Sequence, residues 1–244
     1  MFDFDGRRIL VSGAASGIGN AISTALAAEN ATVIGVDINP AVTDLDGIEG
    51  HQLDLSDRHA VTAFSAEVGA LDGLVNAAGI MREGDILSFP ESQWDAVLDV
   101  NLKAPFYLIQ ACASHLADGA SVVNISSIGG VSAVNFEAAA YHASKGALIV
   151  ATKSWARALA PRGIRVNAVL PGLTDTPMLK GIFEHNAATT SESAEDLRAA
   201  AARGIPLGRL AEPSEIASAV SFLLSSASSY ITGTALNVSG GIVM

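Results

Sequence analysis

Short apolar runs rich in β-branched residues alternate along the chain with longer, alanine-rich runs of helical character. The apolar runs predict seven strands, at residues 8–13, 32–37, 50–55, 72–79, 120–127, 164–172 and 235–241. The intervening runs predict helices at residues 17–29, 57–68, 139–160 and 213–225, and residues 91–117 are predicted to be mostly helical. Strands that are apolar throughout are buried on both faces, as in parallel sheets covered by helices. The pattern therefore predicts an α/β fold over residues 1–244, a single domain with a doubly wound, mostly parallel sheet.

One long stretch, residues 173–211, shows neither pattern and is predicted to be irregular. It begins with apolar residues at helical spacing, namely Met178, Leu179, Ile182 and Phe183, and continues into the polar segment AATTSESAED. Loops of this length in compact domains are usually functional or disordered.

Composition narrows the classes of partner. The 244 residues carry a formal net charge of −11, and phosphate binding needs clustered Lys and Arg, so nucleic acid is not expected as a partner. The single cysteine, Cys112, lies in an apolar helical run, which predicts a buried, reduced thiol. The five histidines show no metal-ligand spacing, so no metal is expected. MFDFDGRRIL lacks the apolar core of a signal peptide, and no apolar run is long enough to span a bilayer, which predicts a cytoplasmic protein with no membrane partner.

The segment SGAASGIGNA (12–21) follows the first predicted strand and opens the first predicted helix. Gly13, Gly17 and Gly19 allow a tight turn, close approach of a ligand to the backbone, and close helix packing. A helix N-terminus offers free N–H groups and positive dipole charge to a pyrophosphate. The alternative is a turn whose glycines serve tight packing alone.

Asp37 ends the second predicted strand, about 20 residues after the glycines, where an acid hydrogen-bonds a ribose 2′-hydroxyl. The alternative is a solvated loop acid. A carboxylate here would repel a 2′-phosphate, and residues 14–16 and 38 include no Arg or Lys to bind one. The sequence therefore favours NAD over NADP as the cofactor.

Tyr141 and Lys145 in YHASK are four residues apart and share one face of a predicted helix. Taken alone, such a pair more often consists of solvent-exposed helix residues without a catalytic role. The whole chain, however, resembles the classical short-chain dehydrogenase/reductases, through this pair and through the Gly-x-x-x-Gly-x-Gly turn, NAAG at 76–79, Asn101, NISS at 124–127 and PG at 171–172. The resemblance implies a Rossmann-type, NAD-dependent oxidoreductase that interconverts a secondary alcohol and a ketone by hydride transfer.

The resemblance implies four catalytic residues. Tyr141 is the general acid/base, and Lys145 lowers the pKa of Tyr141 and hydrogen-bonds the nicotinamide ribose. Ser127 hydrogen-bonds the substrate oxygen, and Asn101 supports Lys145 through a water. Ser127 lies 14 residues before Tyr141, one more than is usual in the family, which a single insertion in the loop accommodates. Ser126 is the alternative to Ser127.

The same resemblance places the cofactor against the glycine turn and the carboxyl ends of several strands. The implied cofactor-binding residues are Gly13, Ser16, Gly17, Ile18, Gly19, Asp37, Asp54, Leu55, Asn76, Ala77, Ala78, Gly79, Tyr141, Lys145, Pro171, Gly172, Thr174 and Thr176. Asp54 matches the acid beside the adenine ring, whereas Asn76 matches an asparagine that steadies the central strands, so its role is structural first. Only 16 residues separate Asp37 from Asp54, which predicts a second crossover helix that is short or lost.

Two resemblances bear on the substrate, and they disagree. AGIMREGDILSFPESQWDAVLDVNLK resembles the sugar-acid (deoxygluconate-type) dehydrogenases, whereas the short second crossover and GIPLGRLAEPSEIA resemble the dihydrodiol (dihydroxybenzoate-type) dehydrogenases. A small-molecule substrate, either a sugar acid or polyol or a cyclic diol, is expected to contact Ser127, Met178 and Phe183. Residues 173–211 are predicted to form a lid over it. The alternative for that stretch is a static surface helix with one apolar face.

The resemblance also implies a homo-oligomer. The alanine-rich helices at 101–117 and 145–160 and the apolar segment GGIVM would be exposed in a monomer, so a homotetramer is expected, with a dimer as the alternative.

Two other functions stay open. One is a non-catalytic, NAD-binding regulatory protein of the same fold. The other is a nucleotide-sugar epimerase or dehydratase, whose usual G-x-x-G-x-x-G turn and larger C-terminal domain do not occur in this sequence.

Overall fold

A computed structural model describes residues 2, 4–133 and 137–243. Within these ranges one sheet contains seven strands, which are β1 Arg8–Ser12, β2 Thr32–Asp37, β3 Ile48–Gln52, β4 Leu71–Asn76, β5 Leu116–Ile125, β6 Arg165–Pro171 and β7 Ala235–Val238. The α-helices of the same ranges are α1 Gly17–Ala28, α2 Arg58–Glu67, α3 Glu91–Leu98, α4 Ala104–Cys112, α5 Ala139–Leu159, α6 Pro177–Thr189, α7 Ala194–Arg203 and α8 Pro213–Leu224. In this part of the chain, no helix combines the length and the apolar character that a membrane crossing requires.

The strands lie in the order β3-β2-β1-β4-β5-β6-β7, and every neighbouring pair is parallel. The chain order reverses between β1 and β4, so the loops that leave the carboxyl ends of these two strands diverge and open a crevice. The predicted doubly wound α/β sheet is confirmed.

Successive residues of the central strand β1 face opposite layers of helices. Leu10 packs in a buried cluster with Leu108 of α4, on the face that α2, α4 and α5 cover. Ile9 belongs to the opposite cluster, with Ile22 of α1 and Val220 of α8. Because both faces are covered, the consecutive inner positions of β1, from Ile9 to Val11, are all apolar, and this is the pattern that the sequence shows.

The connection from β2 to β3 contains no α-helix. It is a 3-10 turn, Pro40–Asp44, which begins where the side chain of Asn39 accepts a hydrogen bond from the Ala41 N–H. The turn lies directly on β3, because a Cβ at Gly50 would sit 2.0 Å from the carbonyl oxygen of Val42. The second crossover helix, which was predicted to be short or lost, is replaced by this turn.

Residues 91–117 are mostly helical, as predicted, but their C-terminal end belongs to a strand. A π-helical turn, Asp99–Lys103, separates α3 from α4, and β5 begins at Leu116. Leu116 pairs with Leu71 of β4 before the register shifts, and the exposed residues that follow it hide the start of the strand in the sequence. β3 likewise begins and ends earlier than the predicted strand at 50–55.

Residues 173–211 are not irregular, because α6 and α7 lie within them. Thr176 caps α6, with a proline in its first turn, and a capping box between Ser193 and Asp196 begins α7. Neither helix contains a fully buried residue, so the apolar periodicity that identifies a helix in sequence is weak here. An ion pair between Asp175 and Arg198 joins the start of the segment to α7.

Candidate active site

A cavity of about 600 Å³ opens at the carboxyl ends of the central strands. Every predicted cofactor residue except Asn76 contributes to its wall. The wall runs from the glycine turn after β1, past Asp37 and Asp54, to Tyr141 and Lys145 on α5 and to the start of α6. One continuous space therefore joins the predicted phosphate site to the predicted catalytic pair.

The glycine turn is packed so closely that side chains do not fit. Gly13 has a φ of +70°, and a Cβ there would lie 2.8 Å from the Cα of Ala78. A Cβ at Gly19 would lie 2.1 Å from the carbonyl oxygen of Gly13. Ser16, which precedes α1, makes no side-chain cap, so the first N–H groups of the helix face the turn without that partner. This bare helix N-terminus fits a pyrophosphate.

Asp37 is held at the end of β2 by backbone donors. Its Oδ2 accepts a hydrogen bond of 3.0 Å from the Ala15 N–H, and its Oδ1 accepts one of 2.9 Å from the Asn39 N–H. The carboxylate is therefore fixed between the glycine turn and the following loop, at the cavity wall. Among the described residues, the Lys and Arg side chains of this wall are Arg82 and Lys145, and neither belongs to the turn or to β2.

Asn76 does not line the cavity, which corrects its inclusion in the predicted cofactor set. Its Nδ2 donates to Oδ1 of Asn124 on β5 at 2.8 Å, and Nδ2 of Asn124 donates to Oγ1 of Thr152 on α5 at 2.9 Å. The amide points into the layer between sheet and helix because alternate strand positions face opposite sides. Asn76 thus links β4 and β5 to α5, the helix of the predicted catalytic pair, in agreement with a structural role.

Ser127, Tyr141 and Lys145 converge at one end of the cavity. The side chains of Ser127 and Tyr141 form a hydrogen bond, and the Ser127 oxygen also accepts one of 3.0 Å from the Gly129 N–H. The Nζ of Lys145 lies 5.7 Å from the centroid of the Tyr141 ring and donates to the Ile125 carbonyl at 2.9 Å. A hydroxyl pair and a buried amine therefore share one small volume.

The neighbouring serine has a different partner. Ser126 is buried and its Oγ donates to the Lys145 carbonyl at 2.8 Å, so it braces α5 while Ser127 contacts Tyr141. The insertion predicted between Ser127 and Tyr141 would fall in the loop before α5, of which residues 134–136 lie outside the described ranges.

The predicted lowering of the Tyr141 pKa by Lys145 is not seen in this structure. Burial raises the pKa of Tyr141, and the hydrogen bond from Ser127 offsets this only in part. Burial also lowers the pKa of Lys145 to about 8, because the enclosed ammonium loses its hydration. The amine lies over the phenol ring and bonds a carbonyl, so it does not act as a strong cation at the phenol oxygen.

Asn101 lies in the π-helical turn and is completely buried, outside the cavity wall. Its Oδ1 accepts from the Ile80 N–H, and its Nδ2 donates to the Ile80 carbonyl and to Oγ of Ser144, at 2.9, 2.9 and 3.0 Å. A Cβ at Gly79 would come within 3.3 Å of Lys145 Nζ and 3.4 Å of Asn101 Oδ1. Asn101 therefore fixes the loop after β4 against α5, close to Lys145.

The wall beyond Tyr141 is mainly apolar. From α6, Met178, Leu179 and Ile182 line it, whereas Phe183 does not, which corrects its predicted place at the substrate. Each helical residue turns by about 100°, so Met178 and Ile182 share a face that Phe183 does not.

Sequence reasoning also missed His142, whose ring lies 6.1 Å from that of Tyr141 and whose pKa is lowered by burial. The feature of the sequence that could have identified His142 is its position directly after Tyr141.

No group of His, Cys, Asp and Glu side chains within residues 2, 4–133 and 137–243 is arranged to hold a metal ion.

Comparison with known proteins identifies the class. A family model described as enoyl-(acyl carrier protein) reductase matches residues 13–243. The fold, the glycine turn and the Ser–Tyr–Lys cluster agree with it, and the chain belongs to the short-chain dehydrogenase/reductase family. It is accordingly an oxidoreductase of a family that binds a nicotinamide dinucleotide, and the close-packed glycine turn fits that group.

Several relatives show how far the likeness extends. The chain is 38% identical to 3-oxoacyl-(acyl-carrier-protein) reductase of Thermotoga maritima, over 98% of this chain and 99% of that protein. It is 37% identical to rat (3R)-3-hydroxyacyl-CoA dehydrogenase, over 96% and 95% of the two chains. The solved structure of Thermoplasma acidophilum aldohexose dehydrogenase in ligand-free form superposes with a TM-score of 0.92, at 34% identity, covering 99% of this chain and 96% of that one.

Proposed function

We propose that the protein is an NAD(H)-dependent oxidoreductase that interconverts a secondary alcohol and a ketone. One observation carries the proposal. The Ser127–Tyr141 hydrogen bond and the buried Lys145 amine lie in the same cavity as the glycine turn and Asp37. A ketone oxygen at the two hydroxyls would then lie in the same space as a dinucleotide bound along the turn.

Bound nicotinamide would supply the hydride, and the protein would supply the proton and the geometry. In ketone reduction, Tyr141 donates its hydroxyl proton to the oxygen that becomes the alcohol, and in alcohol oxidation its phenolate takes that proton back. Ser127 donates a hydrogen bond to the same oxygen as negative charge develops there. Lys145 and Asn101 hold α5 and the loop after β4 in place, and the Lys145 charge favours the phenolate when it is present.

The raised pKa of Tyr141 favours the reduction half of this cycle. A phenol whose pKa is raised stays protonated at neutral pH, so Tyr141 is ready to act as an acid in ketone reduction. Alcohol oxidation needs the phenolate, and it would require that the pKa of Tyr141 falls when cofactor and substrate bind.

NAD is proposed over NADP on electrostatic grounds. A 2′-phosphate at the ribose would meet the carboxylate of Asp37, which two backbone N–H groups hold in place. In the described part of the chain, the cations of the wall, Arg82 and Lys145, belong to segments that line the other end of the cavity. A ribose 2′-hydroxyl can instead donate a hydrogen bond to this carboxylate.

The substrate is proposed to carry an apolar portion beside the reacting carbon. The sequence suggests a sugar acid or polyol, or a cyclic diol, while relatives are named for 3-oxoacyl-(acyl-carrier-protein), (3R)-3-hydroxyacyl-CoA and aldohexose. The wall beside Tyr141 includes Ile80, Ile128, Met178 and Ile182. This lining supports an acyl or cyclic substrate better than a fully hydroxylated sugar acid.

The proposed assembly is a homotetramer, with a dimer as the alternative. Phe106 on α4 and Val150 on α5 are 42% and 63% exposed, and the ring of Phe106 stacks on that of Trp155. Exposed apolar side chains such as these two are of the kind that subunit contacts cover. The protein is proposed to act in the cytoplasm on small molecules.

The experiment that tests the proposal is the oxidation of NADH with a panel of ketones, by wild type, Tyr141→Phe and Ser127→Ala. Tyr141→Phe should lose at least about a hundredfold in turnover, the usual contribution of acid–base catalysis, while still binding NADH. Tyr107→Phe, at a half-buried tyrosine outside the cavity, is the matched control and should keep wild-type turnover.

Two results would speak against the proposal. If Tyr141→Phe kept most of the activity at several pH values, the acid–base role would be wrong. If wild type bound NADH but reduced no ketone, the non-catalytic regulatory protein would replace the enzyme as the better interpretation.

A further inference from the structure

A second compartment of about 410 Å³ adjoins the main cavity. One wall is the loop after β4, from Gly79 to Glu83, and the other is one face of α6, from Pro177 to His185. The two spaces share most of the residues that line the second one, namely Gly79, Ile80, Met81, Arg82, Pro177, Met178 and Ile182. The second compartment is therefore an outward extension of the first, and it begins beside the apolar wall at Tyr141.

Gly181 lies in the wall of this outer compartment, in the middle of α6. A glycine inside a helix destabilises it by about 1 kcal/mol relative to alanine, so its presence calls for a reason. Packing supplies none, because a Cβ built at Gly181 meets nothing within 4 Å, and its φ lies outside the left-handed region. The missing side chain leaves open space in the compartment.

The lining of the compartment changes from apolar to polar towards solvent. Ile80, Met81 and Ile182 continue the apolar wall of the main cavity, and the remaining lining residues include Arg82, Glu83 and His185. Arg82 is held at this edge by hydrogen bonds from Nε to Gln93 Oε1 at 3.1 Å and from Nη1 to the Met81 carbonyl at 2.9 Å. An aliphatic arm with a polar end suits this gradient, because its stem contacts the apolar side chains and its end stays hydrated.

We propose that the outer compartment holds the distal, aliphatic arm of the substrate, and that Gly181 determines how long and bulky an arm is accepted. This inference rests on the proposed function, which places the reacting carbonyl at Ser127 and Tyr141. It adds the substrate class, a ketone or secondary alcohol with an unbranched aliphatic arm, and a specificity-determining residue on α6.

A homologous series of methyl ketones with arms of increasing length gives the first measurement. Each CH₂ group that enters an apolar wall should raise kcat/KM about fourfold, until the arm reaches the polar rim. Compact polar ketones of similar mass should gain nothing from added size.

A chemical block at position 181 tests the residue itself. Gly181→Cys adds a small side chain into open space, and labelling it with N-phenylmaleimide then fills the compartment in the same folded protein. The native Cys112 is buried and its pKa is raised to about 11, so it should not react. Ala188→Cys, at an exposed position of α6 outside both cavities, is the matched control.

Labelling at 181 should lower the ratio of long-arm to short-arm kcat/KM at least about tenfold, whereas labelling at 188 should leave the ratio unchanged. Complete labelling at 181, verified by mass, with an unchanged ratio would overturn the inference. So would a wild-type series without any dependence on arm length, in an enzyme that does reduce ketones. A protein that reduces no ketone at all would instead overturn the proposed function, and this inference with it.

Discussion

Lys145 is enclosed by protein, and its replacement with methionine should make the folded protein more stable while destroying the proposed activity. Methionine keeps the length of the aliphatic stem and removes the ammonium. The ordinary lysine pKa is 10.5 and burial lowers that of Lys145 to about 8. This difference corresponds to about 3 kcal/mol of unfolding free energy that the buried charge costs at pH 7.

The hydrogen bond from Nζ to the Ile125 carbonyl is lost in the variant, at a cost of about 1 kcal/mol. Lys145→Met should therefore exceed wild type by about 2 kcal/mol at pH 7. This difference in stability between Lys145→Met and wild type should decrease as the pH rises. Between pH 8 and 10.5 the unfolded chain holds the lysine proton and the folded protein does not, so wild-type stability rises with pH in that range. The gap should shrink by about 1 kcal/mol from pH 7 to pH 9.

Urea unfolding at one fixed protein concentration measures both quantities, because the apparent stability of an oligomer depends on concentration and the samples must be compared at the same value. Lys153→Met, at an exposed lysine of α5 about two turns further on, is the control and should change stability by less than about 0.5 kcal/mol. A folded Lys145→Met variant that is less stable than wild type at pH 7, or a gap that is equal at pH 7 and pH 9, would refute the reasoning.

Four further predictions concern the cofactor, the proton donor, the lid and the assembly. The ratio of kcat/KM for NADH over NADPH should exceed one and should fall in Asp37→Ala, because the repelling carboxylate is gone; a wild-type preference for NADPH would contradict this. In an absorbance titration, the difference between wild type and Tyr141→Phe should show no tyrosinate below pH 9, since burial raises the pKa of Tyr141. Hydrogen exchange over 178–200 should slow when NADH and a ketone analogue are both bound. Met178→Ala should change the substrate profile more than Phe183→Ala, because Phe183 lies outside the cavity wall. Exchange that is already slow in the free protein, with an unchanged Met178→Ala profile, would support the static helix. Light scattering at micromolar concentration should give the mass of a tetramer, and a monomer would count against the proposed assembly.

The fold could be predicted because its sheet is buried on both faces. Ile9 and Leu10 belong to opposite cores, so the consecutive inner positions of the strand are apolar and the run is visible in the sequence. Elements with less buried surface escaped prediction. α6 and α7 bury no residue completely, so only the apolar start of α6 shows helical spacing, and in β5 the buried Leu116 is followed by exposed residues.

The candidate site was predictable in its residue types and less so in its energetics. Motif order was enough to bring Ser127, Tyr141 and Lys145 to one cavity. The direction of the Tyr141 pKa depends on how far the phenol is buried and on where the lysine amine points, and neither is encoded in the spacing of the motif. Phe183 was misplaced because the face of a short surface helix is set by tertiary contacts.

The parallel order of the sheet has a consequence for synthesis on the ribosome. β1 is made early, but one of its two neighbours is β4, and the contact between Arg8 and Asp72 spans 64 residues. At about 5–20 residues per second, that partner follows several seconds later. Until β4 is made, one edge of β1 lacks its native partner. The apolar residues of β1, which are buried in the folded protein, are then available to other strands or to chaperones. A strand that is buried in the finished protein is thus left with one unpaired edge for several seconds while the chain is being made.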